Sequence, residues 1–229
     1  MDDGMLIKFN DVRYCYGQVC AVEGVCFELH KNEITVFVGP NGGGKSTLLK
    51  LITGLLKPEE GSVYYNNGIE TSYVSQNPSF DTSFPLTVGE LVLQGTLPKK
   101  VRPFAKYTQE QKEKAAQAVE SVGLGGFEQR SIGQLSAGQL KRAVIARAVA
   151  SDAGLIALDE ADASLDVDAA KELYAMLEEL KKDKTIVMAS HNIEAVTGIA
   201  DRAVYINKSA KQFGRPEELR QRLKGGILL

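Results

Sequence analysis

The chain has 229 residues, 44% of them hydrophobic, and a formal net charge of -2. Such a length and composition fit one globular α/β domain carrying an insertion. The balanced charge argues against a nucleic-acid-binding surface, and no apolar run reaches the roughly 18 residues that a membrane span needs. The acidic opening, Met1-Asp2-Asp3-Gly4, is not how a signal peptide begins. Cys15, Cys20 and Cys26 lack metal-ligand spacing and read as small buried thiols, the usage of a reducing compartment.

Residues 5–9 and 19–29 read as strands around a turn at Gly17, with Tyr14 and Tyr16 between them. Residues 34–38 are an apolar, β-branched run that reads as a buried strand. Next comes Gly39-Pro40-Asn41-Gly42-Gly43-Gly44-Lys45-Ser46-Thr47, and then an apolar helix opening at 48–52. Strand, glycine-rich loop and helix in that order are the setting of a phosphate-binding P-loop. Successive backbone N–H groups point into one concavity, Lys45 adds a charge for the β- and γ-phosphates, and the Ser46 hydroxyl suits Mg²⁺. A G-x₄-G-K-[ST] match in a chain this long arises by chance on the order of 1% of the time, so nucleotide binding is the firm reading.

Gly54 and Pro58 end that helix, and short strands at 62–65 and 71–75 flank the turn signal Asn66-Asn67-Gly68. After Gln76 the character changes. Pro78, Pro85, Pro98 and Pro103 punctuate a stretch with a short helix at 88–94 and a longer one at 108–122. The longer helix opens on Thr108-Gln109-Glu110-Gln111, a capping-box pattern, and its Lys112-Glu113-Lys114 reads as a solvated face. Residues 77–148 therefore form an inserted, mostly helical subdomain, and 1–76 with 149–229 form the core of a single domain. The core resumes with a strand at 155–159 and a helix at 167–182 striped by Ala170, Leu173, Leu177 and Leu180. A strand at 185–190 ending at His191, a helix at 192–200, a strand at 203–206 and a last helix at 216–223 complete the chain.

Asp159 and Glu160 stand at the end of an apolar strand, the end at which a parallel sheet places its ligands. A charged strand-end turn is the plain alternative. Beside a P-loop, Asp159 suits Mg²⁺ and Glu160 suits the polarisation of water against a γ-phosphate. His191 leaves the same sheet edge, where a neutral imidazole can bridge γ-phosphate and water; His30, in a turn, reads as surface. Ser136-Ala137-Gly138-Gln139 opens a helix at 140–150 and is either a second anion-binding nest or an N-cap. Gln76 is either a ligand for Mg²⁺ or water, or a turn residue.

Taken together these stretches resemble the ATP-binding-cassette (ABC) ATPases over essentially the whole chain. Gly39–Thr47 is similar to Walker A, Gln76 to the Q-loop, and Leu135-Ser136-Ala137-Gly138-Gln139 to the signature usually written LSGGQ. Residues 155–160 are similar to Walker B, Ser164-Leu165-Asp166 to the D-loop, and His191 to the switch histidine. The resemblance implies an α/β, P-loop NTPase (RecA-like) fold: a mostly parallel core sheet, an N-terminal antiparallel β subdomain and the helical insert. It also implies that Tyr16 stacks on adenine, that Lys45, Gln76, Glu160 and His191 are catalytic, and that Ser46, Gln76 and Asp159 serve Mg²⁺. Residues 39–47 would bind ATP, with Ser136, Gly138, Gln139 and Asp166 facing the nucleotide of a second copy packed head to tail. A separate membrane permease and an extracytoplasmic substrate-binding protein would complete the system, with this chain cytoplasmic and peripheral on the inner face of the membrane.

Two departures stand out. Ala137 replaces the usual second glycine of the signature, and Ala161-Asp162 stands where Pro-Thr is usual. The stretch Ser83-Phe84-Pro85-Leu86-Thr87-Val88 before 91–95 is similar to cassettes of zinc and manganese importers, so import of such a metal ion is expected. Importers of iron complexes or haem, and a soluble cluster-assembly ATPase, remain as alternatives. A GTPase is disfavoured, because Asn207-Lys208-Ser209-Ala210 lacks the acid that reads guanine.

Overall fold

The computed structural model describes residues 4–76, 85–98, 106–214 and 216–224. Pro78, Pro103, the acidic start and the Ser83-Phe84 part of the importer-like stretch lie outside the described residues. In chain order the first elements are β1 (Met5–Tyr16), β2 (Val19–His30), β3 (Ile34–Val38), α1 (Lys45–Ile52), β4 (Glu60–Tyr65) and β5 (Thr71–Val74). Then come α2 (Val88–Leu93), α3 (Gln109–Ser121), α4 (Ala137–Ala150), β6 (Leu155–Asp159), α5 (Val167–Leu180) and β7 (Thr185–Ala189). The chain closes with α6 (Ile193–Val196), β8 (Arg202–Asn207), β9 (Ser209–Phe213) and α7 (Pro216–Lys224). No helix among the described residues is long and apolar enough to cross a membrane.

These elements fall into two compact units. The first spans the described parts of Met1–Ser75, Gly154–Ala163 and Lys181–Leu229. Its main sheet has the order β5-β6-β7-β3-β8-β9, parallel throughout except for the β8–β9 hairpin. Every residue of β3, β6 and β7 is buried, as expected of central parallel strands covered on both faces. A second, antiparallel sheet has the order β2-β1-β4. Phe9 stacks on Phe27 with ring centroids 4.5 Å apart, and Phe27 meets Phe37 of β3 edge-on at 5.5 Å, so one aromatic column ties the two sheets. The α/β architecture with its mostly parallel sheet and antiparallel partner matches the expectation. Strand β9 went unread: Ser-Ala-Lys-Gln-Phe shows no apolar alternation and is held by antiparallel pairing to β8.

The second unit spans the described parts of Gln76–Ala153 together with Ser164–Leu180. The sequence places 149–229 in the core; here α5 groups with the helices instead. Arg142 of α4 pairs with Glu172 of α5 at 3.0 Å, and a Cβ on Gly138 would meet the Ala169 Cβ at 3.0 Å. Helices α2, α3 and α4 each open on a capping box, formed by Thr87 with Glu90, Thr108 with Gln111, and Ser136 with Gln139. Asp166 accepts from the N–H groups of Asp168 and Ala169 at the start of α5. Four helices of this unit are thus started by side chains that satisfy otherwise unpaired N–H groups.

Gly95 follows α2 where the chain lies against α4, and a Cβ there would sit 2.0 Å from the Arg147 carbonyl oxygen. Backbone cannot yield as a flexible side chain can. Gly95→Ala should destabilise the protein by about 1–3 kcal/mol, read as a lowered thermal or urea midpoint; an unchanged midpoint would show that this approach is not tight in solution.

Candidate nucleotide site

The P-loop hangs between β3 and α1. A Cβ on Gly39 would lie 1.9 Å from the Ile206 carbonyl oxygen, so β8 leaves room only for glycine at φ 150°. Gly43 N–H closes the loop onto the Pro40 carbonyl at 3.1 Å, and the Gly43 carbonyl accepts from Lys208 N–H at 2.8 Å. The β8–β9 turn therefore braces the loop from behind. At the start of α1, Gly44 adopts φ 104° and supplies no side-chain cap, so the first N–H groups face the loop without a side-chain acceptor. That is a ready anion site. The buried Lys45 donates from Nζ to the Gly39 and Pro40 carbonyls, at 3.0 and 2.9 Å. Burial, its main influence, lowers its pKa below the usual lysine value, while Glu160 and Asp159 act in the opposite sense.

A cavity of about 340 Å³ opens over this loop, lined among others by Tyr16, Asn41, Lys45, Thr47, Glu160 and Lys208. Tyr16 is half exposed at the tip of the β1–β2 hairpin and packs edge-on against Tyr14 at 5.0 Å. An exposed ring in the wall of this cavity is available to stack on a base. Lys208, reached by the β8–β9 hairpin, was not singled out from the sequence for this wall.

Asp159 ends β6 nearly inaccessible to solvent, and both of its oxygens are engaged. Oδ1 accepts from Ser46 Oγ at 2.9 Å and Oδ2 from the Tyr73 hydroxyl at 2.7 Å. Burial foremost, and then the bond to Asp159, push the Tyr73 phenol well above its ordinary pKa, so it is a fixed donor. Sequence reasoning passed over Tyr73. Its position follows from β5–β6 register: Tyr73 pairs with Ala157, and Asp159, two residues further, shares that face of the sheet. A hydroxyl beside a buried carboxylate is a hard-oxygen pair that fits Mg²⁺ completed by phosphate and water.

Glu160 takes the left-handed conformation, φ 48°, which costs a non-glycine residue about 1–2 kcal/mol. The turn is held by Glu160 N–H donating to the Ala189 carbonyl at 3.1 Å, and it aims the side chain at His191, whose Nε2 lies 2.7 Å from Glu160 Oε1. Strands β6 and β7 pair Asp159 with Ala189, so both loops leave the sheet at one level.

Lys45, Ser46, Asp159, Glu160 and His191 are thus brought to one edge of the first unit, together with Tyr16 and residues 39–44. Gln76, Ser136, Gly138, Gln139 and Asp166 belong to the second unit. There Gln76 is exposed with its carbonyl accepting from Lys141 Nζ, and Ser136 and Asp166 act as helix caps. Ala137 is exposed in the first turn of α4. Two smaller expectations need correction. Cys15 and Cys20, opposite one another on β1 and β2, form a disulfide, and Cys26 is exposed, because that face of β2 looks outward. His30 ends β2 rather than standing in a turn, and its side chain, 4.0 Å from Glu28, is partly covered with 18% accessible. Among the described residues no cluster of three or more His, Cys, Asp or Glu is placed to hold a metal ion.

A family model described as ABC transporter matches residues 22–163. The chain is 36% identical over 214 residues to the zinc uptake system ATP-binding protein ZurA of Listeria innocua, covering 89% of this chain and 83% of that protein. It is also 36% identical over 224 residues to the manganese transport system ATP-binding protein MntB of Listeria monocytogenes, covering 93% and 91%. Among solved structures, the dimeric post-hydrolysis state of the ATP-binding cassette MJ0796 bound to ADP and Pi superposes with a TM-score of 0.75. That likeness runs at 25% identity and covers 91% of this chain and 98% of that one.

Replacing Tyr73 with Phe strips one oxygen of a buried carboxylate of its donor. Tyr73→Phe should destabilise the protein by about 1.5–3 kcal/mol in urea melts and raise the Mg²⁺ concentration that half-saturates ATP hydrolysis. Wild-type values for both would remove Tyr73 from the site.

Proposed function

Because the chain belongs to the ABC transporter family, we propose that it is the ATP-hydrolysing subunit of an importer whose cargo is a zinc- or manganese-type metal ion. The observation that carries the catalytic half of this reading is the convergence of Lys45, the Ser46–Asp159 pair and the Glu160–His191 pair on one sheet edge. The cargo half rests on the zinc and manganese relatives, similar over about nine-tenths of the chain.

Lys45 holds the β- and γ-phosphates in the N–H cradle of residues 39–44, exchanging its bonds to Gly39 and Pro40 for phosphate oxygens. Thr47 and the α1 N-terminus extend the same cradle. Ser46 and Asp159 would hold Mg²⁺, which would neutralise charge on the phosphates. Glu160 takes the proton of the attacking water as its oxygen bonds to the γ-phosphorus and the bond to ADP breaks. His191 fixes the Glu160 carboxylate and orients water and γ-phosphate. Tyr16 stacks on the base.

A second copy, packed head to tail, supplies Ser136, Gly138 and Gln139 to the other face of the triphosphate, with Asp166 linking the two sites. The buried Gly138 and the capping Ser136 give that helix start a fixed shape. A membrane permease receives the closing motion, and an extracytoplasmic binding protein delivers the ion. The chain works on the cytoplasmic face of the membrane. Differential affinity of ATP for closed and open dimers then drives alternating access.

Glu160→Gln should cut turnover roughly 10²- to 10⁴-fold while leaving ATP binding intact, so that the protein runs as an ATP-dependent dimer on gel filtration. Co-purification of a polytopic membrane protein with this variant, and loss of zinc or manganese uptake in cells lacking the chain, are the expected companions. Near-normal turnover would remove Glu160 as the base. Normal metal uptake, or soluble partners alone, would move the function to iron complexes or to cluster assembly.

A further inference from the structure

A second link joins the two loops that carry Glu160 and His191. Past Glu160 the chain turns, with Ala163 N–H donating to the Glu160 carbonyl at 3.1 Å, and this turn presents Asp162. Ser190, fully buried at the end of β7, donates its hydroxyl proton to Asp162 Oδ2 at 2.5 Å. The same Ser190 oxygen accepts Asn192 N–H at 3.0 Å. A serine hydroxyl has one proton, and with its oxygen already accepting from Asn192, that proton is committed to the carboxylate. Ser190 is further anchored by its own N–H to the Phe37 carbonyl of β3 at 3.1 Å.

The residues on either side of His191 are therefore pinned, Ser190 to Asp162 and β3, and Asn192 to Ser190. The imidazole itself is 42% accessible and reaches Glu160 from this pinned segment. Two side-chain bonds thus span the same pair of segments, Glu160 to His191 and Asp162 to Ser190. Bonds to an ionised acceptor are the shorter and stronger kind, so a carboxylate at 162 makes the second one firm.

We propose that Asp162 is a positioning residue for ATP hydrolysis, holding through Ser190 the segment that presents His191 to Glu160. The inference rests on the reading of Glu160 and His191 as the hydrolytic pair. It assigns a role to the position where this chain departs from the usual Pro-Thr.

Steady-state ATPase measurements on the full chain test it. Asp162→Leu keeps the bulk and removes the acceptor; kcat should fall roughly 10- to 100-fold with the KM for ATP within about 2-fold. Asp162→Asn retains a carbonyl oxygen for the Ser190 proton and should recover most of kcat. Ser190→Ala, which removes the donor and leaves Asp162 in place, should reproduce the kcat loss and serves should the leucine variant fail to fold. In a His191→Ala background Asp162→Leu should add no further loss, because the residue acts through the imidazole. Wild-type kcat in both Asp162→Leu and Ser190→Ala, or losses that multiply with His191→Ala, overturns the proposal. Full turnover in His191→Ala alone would instead contradict the hydrolytic pair, an outcome read separately from the Asp162 series.

Discussion

The site depends on the register of three buried parallel strands. Pairing of Asp159 with Ala189, and of Phe37 with Ala189 on the other side of β7, brings β3, β6 and β7 to their ends at one level. Asp159 is the last residue of β6, and the segments that follow the three strands carry Lys45 and Ser46, Glu160, and His191. No side chain in those strands chooses this arrangement for catalysis. Fifteen buried positions choose it, all of β3, β6 and β7, because slipping a covered strand by one residue would exchange its two packed faces. Function is built on the strand ends, and stability is built on the strands.

On that base the loops are fixed by close backbone contact and by single hydrogen bonds to buried acceptors. The P-loop has β8 against its glycines and Lys208 bonded to its Gly43 carbonyl. Asp159 is clamped by Ser46 and Tyr73, and Glu160 is turned by a left-handed backbone into reach of His191. A pocket for a highly charged ligand needs this rigidity before the ligand arrives, since donors that must reorganise give up much of their electrostatic value.

Local signals in the sequence disclosed the parts whose chemistry is contiguous. Gly39–Gly44 leads from a strand into a helix that opens at Lys45, three residues before the expected 48, Asp159 ends a buried strand with Glu160 just past it, and the Thr108–Gln111 capping box forms as written. What stayed hidden needs pairing between distant segments. Tyr73 reaches Asp159 across 86 positions and Ser190 reaches Asp162 across 28; neither pair has a spacing that marks it. The Cys15–Cys20 link looked like separate thiols because hairpin register, not spacing, sets them opposite. The helix read at 192–200 stops at Val196, where Thr197 bonds back to the Glu194 carbonyl and Gly198 follows. Apolar residues at Ile199 and Ala200 had extended the pattern past its real end.

The central claim is that the P-loop cradle with Lys45 is where a nucleoside triphosphate binds. Isothermal titration of Mg-ATP into purified protein, beside Lys45→Ala verified as folded by its melting curve, addresses it most directly. The wild-type chain should bind one ATP per chain, and Lys45→Ala should give no saturable heat up to millimolar nucleotide. Tight binding retained by the alanine variant would contradict the account.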